Sequence, residues 1–233
     1  MRLDRFLSEC GKGTRSEVKT YIKKGNVTIN GNVVKDNSTK VDVEEDRICL
    51  FGSECTYEKY LYFMLNKPQG CVSATRDGLS ATVLEYLEGE ITKGLFPVGR
   101  LDKDTEGFLL ITNDGALGHN LLSPKKHVDK TYIAVVDKEL SEEDMKTFES
   151  GVDIGDEELT LPASIEALEA KVYKVVIHEG RYHQIKRMFE AFGSHVTALK
   201  RVSMGEVSLD ERLAPGEYRR LTEEELSALR REK

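Results

Sequence analysis

The segment from Val98 to Gly115 limits the fold more than any other part of the chain. Three carboxylates at alternate positions, Asp102, Asp104 and Glu106, stop at Gly107; the apolar run Phe108 to Ile111 follows at once and ends at Thr112-Asn113-Asp114-Gly115. A charged loop feeding a continuous apolar run, closed by turn residues, reads as a loop entering a buried strand. Asp-x-Asp-x-Glu-Gly also opens like a calcium-binding loop with glycine in its sixth place. The ninth place is Leu110 and the twelfth Asn113, where a bidentate glutamate is needed, so the calcium reading fails. One reading then keeps a single carboxylate for chemistry. Arg100, two residues ahead of Asp102, can hold its charge or grip a phosphate, and a rigid strand end is a good mount for a nucleophile. The plain alternative is a solvated charged turn.

The chain ahead of this segment opens with Leu3, Phe6, Leu7 and Cys10 at helical spacing, broken by Gly11-Lys12-Gly13. Thr14 with Glu17 three residues on forms a capping-box signal for a second helix. Val18, Tyr21 and Ile22 give that helix its apolar stripe, and Arg15, Lys19, Lys23 and Lys24 supply cations. Gly11-Lys12-Gly13-Thr14 is not the tail of a phosphate-binding loop, because Phe6 stands in place of its first glycine and no strand precedes it. Val27-x-Ile29 and Val33-Val34 flank Asn30-Gly31, a strong hairpin signal. Residues 52–60 are polar and turn-forming, and are expected to be a hinge between a small domain, 1–56, and a larger one, 57–233.

In the larger domain a strand at Leu61–Leu65 runs into Asn66-Lys67-Pro68-Gln69-Gly70, and a short helix is expected over Val83–Leu87. After Gly115 come a helix over Ala116–Leu122, ending before Pro124, and a strand over Lys130–Val136 that carries Tyr132. An acidic helix should run from Ser141 to about Glu149, followed by strands near 160–168 and 171–178. Then Gly180 opens a helix whose first turns hold Arg181, His183, Gln184, Lys186 and Arg187, a good seat for phosphate. Val196–Leu199, Val207 and 213–218 should complete the sheet, and Thr222 should cap a last helix.

A net charge of −7 argues at face value against a nucleic-acid binder. The distribution restores the idea. Residues 1–40 hold nine Lys/Arg against four Asp/Glu, and 180–201 hold five against one, while 137–158 hold two against ten. Basic faces with acid confined elsewhere suit a phosphate-binding surface on an acidic protein. Cys10, Cys49, Cys55 and Cys71 show no Cys-x-x-Cys pair and no histidines at ligand spacing, which points to reduced thiols. The first residues lack the apolar stretch of a signal peptide, and no membrane span is evident, so a cytoplasmic location is expected.

Gly99-Arg100-Leu101-Asp102-x-Asp104-Thr105-x-Gly107-x-Leu109-Leu110-x-Thr112-Asn113-Asp114-Gly115 resembles the catalytic signature of the pseudouridine synthases, in the branch of the ribosomal small-subunit enzymes and their large-subunit relatives. Phe108 departs from the leucine commoner there. Asn66–Gly70, Lys130-x-Tyr132 and Gly180-Arg181-Tyr182-His183-Gln184-Ile185-Lys186-Arg187 resemble further motifs of that family, and residues 1–56, with Gly25-x-Val27-x-Ile29-Asn30-Gly31 as the signature, resemble an S4 RNA-binding domain.

The resemblance implies an α+β chain: an S4-like helix-helix-hairpin domain, then a catalytic domain with a mixed, mostly antiparallel sheet. It implies isomerisation of uridine to pseudouridine in RNA without cofactor or metal. Asp102 is the implied nucleophile or ribose-activating carboxylate, Tyr132 the ring that stacks on uracil, and Lys186 the cation paired with Asp102. Implied RNA contacts are Arg100, Arg181, His183, Gln184, Arg187 and Lys67, the last with Pro68 also shaping the cleft, together with Arg15, Lys19, Lys23 and Lys24. The small-subunit branch implies a 16S rRNA target of the uridine-516 type, met as free RNA or as an assembling particle, by a monomer with no membrane partner. A 23S target is the runner-up. The rivals from other classes are a non-catalytic S4-domain binder, disfavoured by the intact Arg100-x-Asp102, and a carboxylate glycosidase, which has no use for basic patches.

Overall fold

The computed structural model describes residues 1–231, which form two compact units divided between Lys59 and Tyr60. In the first, α1 (Leu3–Glu9) and α2 (Arg15–Lys23) precede β1 (Val27–Ile29), β2 (Asn32–Val33), β3 (Ile48–Leu50) and β4 (Ser53–Glu54). The capping box forms as its sequence signals: Glu17 N–H donates to the Thr14 hydroxyl, and Thr14 N–H donates back to the Glu17 carboxylate. Asn30 and Gly31 take φ of 52° and 84°, the left-handed pair that a two-residue hairpin between twisted strands requires.

Phe51 and Gly52 repeat that turn at 52° and 80°, and the four strands run β2-β1-β3-β4. The sheet therefore extends past the expected hairpin, and β4 draws the start of the 52–60 stretch into this unit. Leu3, Phe6, Leu7, Val18, Ile22, Val27 and Ile48 make the core. Arg15, Lys19, Lys23 and Lys24 are all exposed.

The second unit contains β5 (Tyr62–Lys67), β6 (Phe96–Pro97), β7 (Glu106–Thr112), α3 (Gly115–Leu122), β8 (Lys130–Val136), α4 (Glu142–Ser150), β9 (Ser164–Glu169), β10 (Val172–Ile177), α5 (Gln184–Glu190), β11 (Val196–Met204), β12 (Val207–Ser208), β13 (Tyr218–Arg220) and α6 (Glu223–Arg230). The sheet runs β13-β5-β7-β11-β8-β10-β9, with β6 added to β7 and β12 to β11. Every pairing is antiparallel except β7 with β11. The α+β class and the mixed, mostly antiparallel sheet are as the sequence leads one to expect.

The unbroken apolar runs in β5 and β7 arise because both strands lie between two cores. Phe63, Leu65, Leu109 and Ile111 pack in the layer of Phe148 on α4 and Ile185, Met188 and Phe189 on α5. Met64, Phe108 and Leu110 pack with Leu117 and Leu121 on α3 and Leu226 and Leu229 on α6. In contrast, β8 alternates, with Lys130, Tyr132, Ala134 and Val136 buried and the residues between them half-buried.

Several boundaries differ from expectation: β5 runs on to Lys67 and β11 to Met204, past the expected Leu65 and Leu199. α5 starts at Gln184 rather than just after Gly180, since His183 sits at φ 48° and breaks the helix. β9 starts at 164 rather than near 160, because the amides of Thr160 and Ala163 donate to Val152 O and Phe148 O. β13 begins only at Tyr218, since 213–217 closes a turn in which Glu217 N–H donates to Ala214 O.

The parallel pairing of β7 with β11 depends on a glycine. Gly107 has φ +103°, and a Cβ there would lie 2.2 Å from Arg201 O and 2.9 Å from Arg201 N. Only a residue without a side chain lets β7 approach β11 so closely. The end of the carboxylate loop is thereby set directly against Arg201.

Candidate active site

The loop leading into β7 is held by its backbone. Ser73 Oγ donates to Leu101 O at 2.8 Å and accepts from Leu101 N–H at 3.0 Å, and Gly70 N–H donates to Lys103 O at 2.7 Å. Lys67, at the end of β5, is 0% exposed, and its Nζ donates to Pro68 O, Asp102 O and Thr105 O at 3.0, 2.9 and 2.9 Å. Burial pulls the Lys67 ammonium below its ordinary pKa, and nearby anions offset part of that pull. The expected RNA contact by Lys67 is thus corrected: all three of its protons point at the protein. Its other expected role, shaping the cleft, is what the geometry supports.

On this pinned loop the Asp102 carboxylate is 29% exposed. Lys186 Nζ lies 3.4 Å from its Oδ2, and His183 Nε2 lies 3.5 Å from its Oδ1. The expected Lys186–Asp102 pair is present, but Lys186 has a closer partner, Asp104, at 2.6 Å. That hydrogen bond holds the Asp104 carboxyl below its usual range. Burial pulls Lys186 down, yet the hydrogen bond and charge of Asp104 together with the charge of Asp102 outweigh it and leave its pKa raised. Lys186 is therefore a shared cation rather than the private partner of Asp102.

Tyr132 on β8 is 7% exposed, and its ring belongs to the core beside α5. Behind it lies a residue that sequence reasoning passed over except as one count in a charge tally. Arg201 on β11 is 2% exposed; its Nε donates to Phe108 O at 2.7 Å, its Nη1 lies 3.5 Å from the Tyr132 hydroxyl, and its Cζ stands 6.0 Å from the Tyr132 ring centre. A guanidinium in the middle of the strand Val196–Met204 was the available signal, since such a group is buried only when something holds it. Arg100, Asp102, Thr105, Tyr132, His183 and Lys186 border one small cavity of about 70 Å³. A larger one, about 360 Å³, lies between α3 and α6, where Leu117, Leu121 and Leu229 line it and none of the groups above reaches it.

The remaining expected RNA contacts divide sharply. Arg100 is exposed at the cavity mouth, and His183 is 37% exposed beside Asp102. Gln184 is 3% exposed: its Oε1 accepts from Arg181 N–H and its Nε2 donates to Glu179 Oε1. Arg181 donates to Glu179, Glu158 O and Leu159 O. Arg187 donates to Ile154 O, Asp156 and Tyr182 O. Gln184, Arg181 and Arg187 thus anchor the turn, and Arg181 and Gln184 also line the site cavity.

The separation of acid from base read from the sequence is corrected too. Asp156, in the acidic stretch, lies 2.5 Å from Arg187 and 3.5 Å from Arg181, and Arg201 is buried, so little of the 180–201 excess faces solvent as free charge.

A half-buried carboxylate on a clamped loop, flanked by an ammonium and an imidazole and facing a buried phenol, is equipped to act as an anion on a bound substrate. Among the described residues, no group of three or more His, Cys, Asp or Glu side chains is placed to hold a metal ion, and no helix is long and apolar enough to cross a membrane. The four cysteines are unpaired thiols.

Comparison with known proteins bears on both units. Residues 61–191 match the family described as RNA pseudouridylate synthase, and residues 1–48 match the S4 domain. The chain is 49% identical over 98% of both chains to an uncharacterized RNA pseudouridine synthase of Bacillus subtilis. It is 39% identical to ribosomal small subunit pseudouridine synthase A of Escherichia coli K12, over 98% of this chain and 100% of that one. A crystal structure of a pseudouridylate synthase superimposes with a TM-score of 0.71 at 40% identity, covering 98% of this chain and 99% of the other.

Proposed function

The chain belongs to the RNA pseudouridylate synthase family, with an N-terminal S4 domain, and is an isomerase of RNA uridine; from that premise we propose that it modifies one uridine of 16S rRNA, of the 516 type, in the cytoplasm and as a monomer. The observation that carries the reading is the position of Asp102, set between Lys186 and His183 on a loop held by Lys67. The 39% identity to a small-subunit synthase along the whole chain favours 16S over 23S.

In the proposed reaction the uridine leaves its stack and enters the cavity, because its glycosidic bond is out of reach inside a helix. The Asp102 carboxylate acts on the ribose, the C1′–N1 bond breaks, the uracil turns, and C5 bonds to C1′ while its proton departs. The product is an isomer of the substrate because N1, freed from C1′, takes up a proton from solvent in place of the one that C5 loses. Tyr132 stacks on the uracil, and its hydroxyl, held in direction by Arg201, relays the C5 proton to solvent, passing on its own as it accepts. Lys186 keeps the pair of carboxylates compatible with a polyanionic ligand. Arg100 grips the flipped nucleotide's phosphate, and Arg15, Lys19, Lys23 and Lys24 on α2 bind backbone elsewhere on the rRNA. Mapping pseudouridine at base resolution in rRNA from cells lacking the protein is expected to show one site lost from 16S. Loss from 23S instead would move the target, and an unchanged map would overturn the reading.

A further inference from the structure

We infer that Tyr182 is a stacking platform for an RNA base next to the target uridine; this rests on the isomerase reading above and adds a subsite to it. Tyr182 is 73% exposed, so its ring is open to a ligand from solvent. Its ring lies parallel to that of His183, with centroids 3.9 Å apart and planes 15° from each other. The His183 Nε2 in turn lies 3.5 Å from Asp102. One step of stacking therefore connects the exposed ring to the carboxylate.

The backbone that carries the ring is anchored. Tyr182 O accepts from Arg187 at 3.1 Å, and the preceding Arg181 is tied to Glu179, Glu158 O and Leu159 O. His183 is locked at φ 48°. A ring that spends no order on binding gains the full benefit of stacking on a flat partner. Uracil and its neighbours all present such a face, and a base freed from its partners when the target flips out needs somewhere to rest. His183, the other ring of the stack, lines the cavity at which Arg100 is exposed.

The chain contains no tryptophan, so Tyr182→Trp introduces a single fluorescent reporter on the platform. The probe is a short single-stranded uridine oligomer, with inorganic polyphosphate as the charge-only control. Saturable quenching by the oligomer and none by polyphosphate is expected. Tyr182→Ala should weaken oligomer binding roughly 5- to 150-fold, the range for losing one stacked base, while Tyr182→Phe should bind like the parent. The side chain's exposure means that neither variant threatens the fold.

Equal quenching by both probes, or unaltered affinity in Tyr182→Ala, would overturn the platform. Tritium release from C5-labelled uridine in rRNA by the unsubstituted protein separates the two claims. Release with a failed platform discards only the subsite; absence of release discards the isomerase reading and the platform with it.

Discussion

Replacing Lys67 by methionine keeps an unbranched stem as far as Cε and removes the ammonium. Three hydrogen bonds are lost, to Pro68 O, Asp102 O and Thr105 O. At about 1.5–3 kcal/mol for a charged donor, their gross worth is large, but burying the ammonium costs several kcal/mol, which methionine recovers. The carbonyls decide the net. Asp102 O keeps a bond from Thr105 N–H at 3.1 Å and Pro68 O keeps the Cys71 thiol at 3.5 Å, whereas Thr105 O has Lys67 as its donor. One stranded carbonyl and two weakened ones give an expected loss of about 2–4 kcal/mol in urea denaturation. The loop that bears Asp102 also loses its clamp, and a displacement of the order of 1 Å at a reacting group can cost about 100-fold. Turnover measured by tritium release should therefore fall by about that factor, with rRNA affinity changing little. A methionine variant within about 0.5 kcal/mol of the parent and with unaltered turnover would refute the clamp.

Gly107→Ala should destabilise the catalytic unit by about 2–5 kcal/mol, because the added methyl meets the Arg201 backbone at 2.2 Å and φ is +103°; thermal or urea unfolding reads this directly, and a neutral result would contradict the close approach of β7 to β11. For Asp104, whose pKa is depressed by Lys186, the stabilisation is present above the ordinary carboxylate pKa and disappears as pH falls through the lower folded value. Since Asp104 is 69% exposed, screening limits the increment to about 0.2–1 kcal/mol. The urea midpoint of the parent should lose that increment on acidification, and Lys186→Met should not; identical pH profiles would remove the pair.

How far the sequence speaks depends on the range of the interaction. The capping box at Thr14 and Glu17, the Asn30-Gly31 turn and the buried runs of β5 and β7 are local patterns, and each folds as its pattern says. The place of Asp102 on a loop that feeds a buried strand was legible because the motif is contiguous. The sharing of Lys186 with Asp104 was not, since the two are 82 residues apart and no spacing encodes a 2.6 Å contact. Lys67, Arg181, Gln184 and Arg187 look in sequence like cations and donors offered to RNA; only the fold reveals acceptors, Asp156 and Glu179 among them, that consume their protons. Arg201 is the reverse case, a buried residue beside Tyr132 that no contiguous motif marks. Phe51-Gly52 was missed because phenylalanine in a left-handed turn defies the usual turn chemistry; its ring packs edge-on against Tyr21 at 5.2 Å.

The central claim is that Asp102, alone among the loop carboxylates, carries the chemistry. Tritium release from C5-labelled uridine in rRNA by Asp102→Asn, with Glu106→Gln as its control, is the decisive measurement; Asp104→Asn is not a neutral control, since Asp104 shares Lys186. The account predicts no detectable release by Asp102→Asn, retained rRNA binding and an unaltered unfolding curve, beside substantial release by Glu106→Gln. Measurable release by Asp102→Asn, or equal loss in both variants, would contradict it.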